Sequence, residues 1–344
     1  MHKMVISAAV AGLLAAAFTS PASAADVVTA VKVAKPPVLA AGAADPAWAK
    51  AKALNVALAG GVNFKNGKGN TTATLKAVYS GDMLYMLVQY NDPTQSIRRF
   101  PYQKQADGSW KKLADPNNKG GDDNMYYEDK YALIWNINNS IKGFGQQGCM
   151  AACHAGEPGK AFGNKYTASE GELGDIWHMK SIRTPGQTDD QYLDHTRFDK
   201  DKSPEAGRKS DAKTGGGYTD MKLVNGKPEF MNKSAIASNK KGGTYYLKEA
   251  DKVAFDDSKF KAGDEVASIM VAPFTGDRGD IATEIAWKGG KWTAVMSRKL
   301  VTGSKTDVQF DKLDATYDFG FAAFDNAQVR HAYHMGALHL KFAK

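Results

Sequence analysis

The chain has 344 residues, 43% hydrophobic and 24% charged, with a formal net charge of +8. Its 45 Lys and Arg are spread among 37 Asp and Glu rather than gathered in a block, which excludes nucleic acid and reads as a solvated surface, with docking to an acidic partner as the functional counterpart. Only two cysteines occur, Cys149 and Cys153; a chain this long does not need a disulfide to fold, so their closeness asks for a specific explanation.

In chain order, Met1 to Ala24 reads as a secretory signal: His2 and Lys3, an apolar run from Val5 to Phe18, then Ala22-Ser23-Ala24 as a small-residue cleavage site. The run is shorter than the roughly 20 residues that span a bilayer. The expectation is export to the periplasm, no membrane span after cleavage, and one domain over 25–344. Pro46 to Lys52 suggests a short helical turn. Thr72 to Ser80 and Met83 to Tyr90, joined by Gly81-Asp82, predict a hairpin. Tyr131 to Ile137 and Val266 to Ala272 predict further strands. Ile281 to Trp287 and Trp292 to Met296 predict a second hairpin around Gly289-Gly290. Tyr317 to Phe324 and Leu338 to Phe342 predict two more strands.

Helix signals are few. The best is Ser169 to Ile182, with Ser169 as N-cap and Glu172 three residues on. Strands at both ends around a long middle predict a mainly β protein, an antiparallel β-sandwich with a few short helices. Residues 143–243 read as an insertion of polar loops, including Phe198 to Gly217, with the cysteines near its start.

The chemistry lies in Gly148 to Gly159, GCMAACHAGEPG. Cysteines followed directly by His154 match the logic of covalent haem attachment: two thiols add to the haem vinyls, and the next imidazole is placed on the iron. The usual signature has two residues between the cysteines; here Met150, Ala151 and Ala152 make three, so the loop must bulge or tighten. A Cys149–Cys153 disulfide is the competing reading, whereas zinc lacks enough ligands. A second axial ligand is required for a low-spin haem. The candidates are His178, Met179, Met125, Met335, His331 and His334. Strand periodicity from Leu338, Leu340 and Phe342 turns His334 inward, unless a bulge at Gly336 turns His331 inward instead. His195 and His339 read as surface residues.

Several segments, in order, carry a resemblance: Leu75 to Asp92, Asp129 to Trp135, Cys149 to His154, Gly174 to Arg183, Asp189 to Asp194, Trp292 to Leu300, and the tail Phe319 to Phe342. Together the chain resembles the haem-binding family typified by the γ subunit of ethylbenzene dehydrogenase, with the haem subunits of dimethylsulfide dehydrogenase, selenate reductase and chlorate reductase, and in particular its c-type branch. The resemblance implies a sandwich holding haem. Members with b-type haem use a Met from mid-chain and a Lys near the C-terminus. This sequence departs at both places, which implies His154 in place of the Met and His331 near the position of the Lys, with His334 still open. His178 is implied as a pocket residue, supporting the haem through Asp175 or a propionate.

The expectation is a periplasmic monohaem c-type cytochrome, with one haem c bound through Cys149 and Cys153, cofactor contacts from His154, His178, His331 and His334, and iron ligands among His154, His331 and His334. No catalytic residue is expected, since no nucleophile elbow, phosphate loop or HExxH occurs. The partner expected is a redox protein: a molybdenum enzyme subunit or a quinol-oxidising membrane cytochrome. Two alternatives remain. One is a carbohydrate-binding sandwich without haem, using Trp110, Trp287 and Trp292 as stacking surfaces. The other is a haem sensor or enzyme with an open iron site.

Overall fold

The computed structural model describes residues 26–118, 121–154 and 165–343; the expected signal segment 1–24 lies outside them. Among the described residues the largest sheet has 13 strands. They are β1 (Val27–Lys32), β2 (Leu54–Leu58), β3 (Thr71–Ser80), β4 (Met83–Asn91), β5 (Lys130–Asn136), β6 (Gly174–Lys180), β7 (Asp189–Leu193), β8 (Arg208–Ser210), β9 (Ala282–Trp287), β10 (Lys291–Lys299), β11 (Thr316–Phe324), β12 (Ala332–Tyr333) and β13 (Leu338–Phe342). They run in the order β8-β7-β6-β5-β11-β13-β1-β3-β4-β10-β9, with β2 on β3 and β12 on β11. Most neighbours are antiparallel; β1 alone lies parallel to both of its partners, β13 and β3.

The sheet curls until its halves face each other. Tyr131, Leu133, Trp135, Trp177 and Met179 of β5 and β6 share one apolar core with Met86, Val88 and Tyr90 of β4 and Trp292, Ala294 and Met296 of β10. These strands are far apart in sheet order, so only face-to-face packing joins them. Arg298 of β10 crosses the interior to within 3.5 Å of Asp175 on β6. The rims meet where Gln187 bridges to Ala282. The molecule is therefore a mainly β sandwich. Two one-turn α-helices, α1 (Phe64–Gly67) and α2 (Phe144–Gln147), and short 3-10 turns are the helical content of the described residues.

The predicted hairpins form as β3–β4 and β9–β10, since alternating side chains and tight Gly turns determine them locally. Pro46–Lys50 is a 3-10 turn whose Trp48 covers the other side of β3 and β4. Three expectations change. Ser169 to Ile182 is not a helix: Ser169 N–H does bond Glu172 Oε2 at 3.0 Å, but that closes a turn, and the chain then enters β6, buried on both faces. A strand with no exposed face shows no alternation, which is why the capping signal dominated the reading. Val266 to Ala272 is split between two small sheets, Glu265–Val266 beside Tyr102–Lys104 and Ile269–Thr275 beside Gly215–Asp220. Finally, 143–243 is no simple insertion, because β6, β7 and β8 belong to the main sheet.

Candidate functional site

β5, β6 and β11 present alternate residues to two sides. Tyr131, Leu133, Trp135, Trp177, Met179, Phe319 and Phe321 face the core. Their neighbours therefore face outward. Strand register sets Gly320 beside Ile134, Ala322 beside Ala132 and Phe324 beside Lys130. Across β5, Ile176 pairs with Ile134, His178 with Ala132, and Lys180 with Lys130.

The segment 144–154 lies on this outer face. α2 ends at Gly148, with φ 53°, where a Cβ would stand 2.0 Å from the Gly336 carbonyl oxygen; only glycine permits this approach. Gly148 pairs there with Gly336, just after His331–Met335. A short 3-10 turn follows, and the Cys149 carbonyl accepts from both Ala152 N–H (3.2 Å) and His154 N–H (3.1 Å). The third spacer residue is thus absorbed in a wound loop. Cys149 is buried against β11 at Gly320, where an added Cβ would come 2.2 Å from its Sγ. It packs with Ile134, Phe144, Ile176 and Leu193, and Cys153 joins the margin of that cluster. Both thiols are free. Burial pushes the Cys149 thiol far above its ordinary range and that of Cys153 up to about 11.

His154 and His331 meet. Their Nε2 atoms are 3.2 Å apart and their rings nearly perpendicular, at 86°. His331 Nδ1–H donates to the Val329 carbonyl at 2.9 Å, which directs the Nε2 lone pair toward His154. Desolvation, then the neighbouring His154, pushes the His331 pKa down to about 4, and desolvation lowers that of His154. Both rings are held neutral near pH 7. Tyr333 lies 4.7 Å from His154, and Phe324 lies 4.8 Å from His331.

The other sequence candidates separate. The chain does turn at Gly336 (φ 102°), and His334 points away toward Asp26, 3.9 Å off. His178 is buried and stacks on Phe324 at 5.8 Å, with Nδ1 3.4 Å from Gln191 Oε1 and Nε2 unpartnered. It does not reach Asp175, which faces the other side of β6 and accepts from Trp177 Nε1 and Val308 N–H. Met179 is in the core, while Met125 and Met335 are exposed. His195 is exposed, but His339 is buried with Nδ1 2.7 Å from Asp318 Oδ1, contrary to the surface reading. Trp110 and Trp292 are buried and offer no open face for stacking; Trp287 is half-buried against the core, and the three indoles donate to Asp257, the Asp92 carbonyl and Asp129.

Sequence reasoning missed Lys130, Phe324 and the small floor of Ala132, Ala322 and Gly320. The alternation in Lys-Tyr-Ala-Leu-Ile-Trp and Phe-Gly-Phe-Ala-Ala-Phe carried the signal for the floor, since Ala132, Gly320 and Ala322 fall between core residues; the pairing of Lys130 with Phe324 had no local signal.

No helix among the described residues is long and apolar enough to cross a membrane. The sequence model described as "Ethylbenzene dehydrogenase" matches residues 45–336. No curated protein matches the chain. Among solved structures, it is similar to a carbohydrate binding module family 9 from Caldicellulosiruptor kristjanssonii in complex with glucose, at 10% identity over 92% of this chain and 94% of that one, with a TM-score of 0.31. The cellotriose complex of such a module from the same organism gives 9% identity, 92% and 95% coverage and a TM-score of 0.34.

Proposed function

The chain belongs to the ethylbenzene dehydrogenase family, and from that premise we propose that it is an exported, monohaem c-type cytochrome that passes electrons to or from a redox partner protein. The observation that carries the reading is the His154–His331 pair, with Nε2 atoms 3.2 Å apart beside Cys149 and Cys153. Two neutral imidazoles facing across that gap need one shared proton or a metal cation between them. Metal–imidazole bonds of about 2 Å call for a separation of about 4 Å, a small opening of the pair. The donor set fits an iron with two nitrogen ligands, and the thiols on the adjoining loop fit covalent attachment at its edge.

When bound, haem supplies a one-electron couple. The chain's own residues do the rest. His154 and His331 would both hold the iron, which disfavours a sensor with an open coordination position. The Val329 carbonyl fixes the His331 tautomer and ring direction. Phe324 and Tyr333 shield the imidazoles from water. Cys149 and Cys153, both held as thiols, would form the thioethers, and attachment keeps an exported carrier from losing its cofactor.

The partner proposed is a molybdenum enzyme subunit or a quinol-oxidising membrane cytochrome, and the compartment is the periplasm. The test is expression of the full chain with periplasmic c-type haem maturation, then a pyridine haemochrome spectrum after denaturation. One attached haem per chain with a c-type band is expected, and His331→Ala should abolish the low-spin spectrum while leaving the haem attached. Extractable haem, or none, would sink the reading.

A further inference from the structure

Resting on that reading, we infer that Lys130 and His178 form the carboxylate-binding end of the haem site and receive the propionates of the group whose opposite edge is tethered at Cys149. The inference begins with direction along the outer face. Cys149 sits against Gly320 and Ile134, which are register partners. Four residues along the same two strands, about 14 Å at roughly 3.4 Å per residue, lie Phe324 and Lys130. Between them are Ala132 and Ala322, also partners, with His178 opposite Ala132 and Tyr333 opposite Ala322. The imidazole pair stands over this middle stretch, since His154 touches Tyr333 and His331 touches Phe324.

At the far end a buried amine lacks an anion. Lys130 is 2% exposed, yet its Nζ donates only to the Gln328 carbonyl, at 2.9 Å, and otherwise lies over the rings of Phe324 and Tyr127, at 4.1 and 4.5 Å. The neighbouring acids are engaged elsewhere: Glu128 pairs with Arg183, and Asp189 with Lys180 and Arg278. Among the described residues no carboxylate pairs with Lys130. His178, stacked on the same Phe324 ring, directs Nδ1–H to Gln191 Oε1 and buries a bare Nε2 that has no partner. A buried amine with donors to spare, together with an imidazole whose bare Nε2 takes up a proton when an anion arrives, makes a receptor for carboxylate oxygens. The two vinyls and two propionates of haem lie on opposite edges of the porphyrin. With the vinyls at the cysteines, the propionates are carried toward Lys130 and His178.

The test uses the full chain, matured with haem, as wild type, Lys130→Met, Lys130→Arg and His178→Gln. The readouts are haem retained after denaturation, the low-spin spectrum, the midpoint potential, and the propionate bending bands in resonance Raman. Wild-type haem retention reports on the cytochrome reading itself, and a wild type without haem overturns both proposals. If haem is present, Lys130→Met should keep one attached haem and its low-spin spectrum, shift the propionate bands and lower the potential. The potential falls because an uncompensated propionate favours the oxidised iron. Lys130→Arg should recover most of the potential, and His178→Gln should shift the bands with little change in potential. Unchanged bands and potential in Lys130→Met overturn the inference while leaving the cytochrome reading intact. Should that variant not fold, unchanged bands in both Lys130→Arg and His178→Gln overturn it equally.

Discussion

The two faces of β5, β6 and β11 are made by alternate residues of the same three strands, and they differ in kind. On the inner face Trp135 lies 5.0 Å from Trp177 and 4.6 Å from Phe319, ring to ring, in the middle of the core. On the outer face, one residue away at each point, stand Ala132, Gly320, Ala322, His178 and Lys130. The inner face is close-packed and gives rigidity. The outer face leaves its central positions small and places polar groups at one end and thiols at the other. A strand buried on both sides can thus serve stability and chemistry at once, since a period of two separates the two jobs.

The largest effect expected from attacking the comparison is on the inner face. Trp135→Ala should cost about 3–5 kcal/mol through the cavity it leaves, read as a lower urea midpoint, while any folded fraction keeps the His154–His331 geometry. An equal loss of stability from His331→Ala would break the distinction between the faces. On the outer face, Gly320→Ala places a methyl 2.2 Å from Cys149 Sγ and 3.1 Å from Ile134 Cγ2. It should cost about 1–3 kcal/mol by overpacking and should reduce haem attachment in the same preparation.

A third test asks how much charge the rim of the core tolerates. Asp92, Asp129 and Asp325 bury ligand-capable oxygens within 4.8 Å of one another. Burial, then the charge of Asp325, raises the Asp92 pKa to about 8, and burial raises Asp325 to about 6. A carboxyl raised in the folded state contributes stability at low pH that is lost as pH rises, here between about 4 and 8. Asp92→Asn should therefore stabilise the protein by about 1–2 kcal/mol at pH 8.5 and make little difference at pH 4, measured by thermal melts across that range. A wild type whose stability does not fall toward pH 8 would contradict it. The smallest effect belongs to His334→Ala: the side chain points away from the imidazole pair, so stability should change by under about 0.5 kcal/mol and the haem spectrum not at all.

Much of the sandwich was legible because its hairpins are local. Thr71–Ser80 and Met83–Asn91 alternate and turn at Gly81, so pattern and structure agree residue by residue. β6 was not legible, since Gly174–Lys180 has no exposed face and a genuine Ser169–Glu172 contact precedes it. His154 was readable from its place after Cys153, and His331 from the density of its neighbourhood. Their meeting was not, because it depends on the turn at Gly336 and the approach of Gly148 to it. Lys130 was invisible for a similar reason: its role follows from lying opposite Phe324, almost two hundred residues on, and nothing near Lys130 in the chain announces that pairing.

β1 carries a consequence for how the molecule is made. It lies between β3 and β13, joining Val27 to His339 and Ala30 to Ala77. A strand made among the first must wait for one made among the last, about three hundred residues later. Until residues 338–342 emerge, one edge of β1 is open and the His331 side of the imidazole pair has not been delivered. Closure of the sheet and completion of the site are therefore late and nearly simultaneous events. A chain interrupted before residue 331 would present thiols without their second imidazole, and one interrupted before 338 an unpaired strand edge open to other chains.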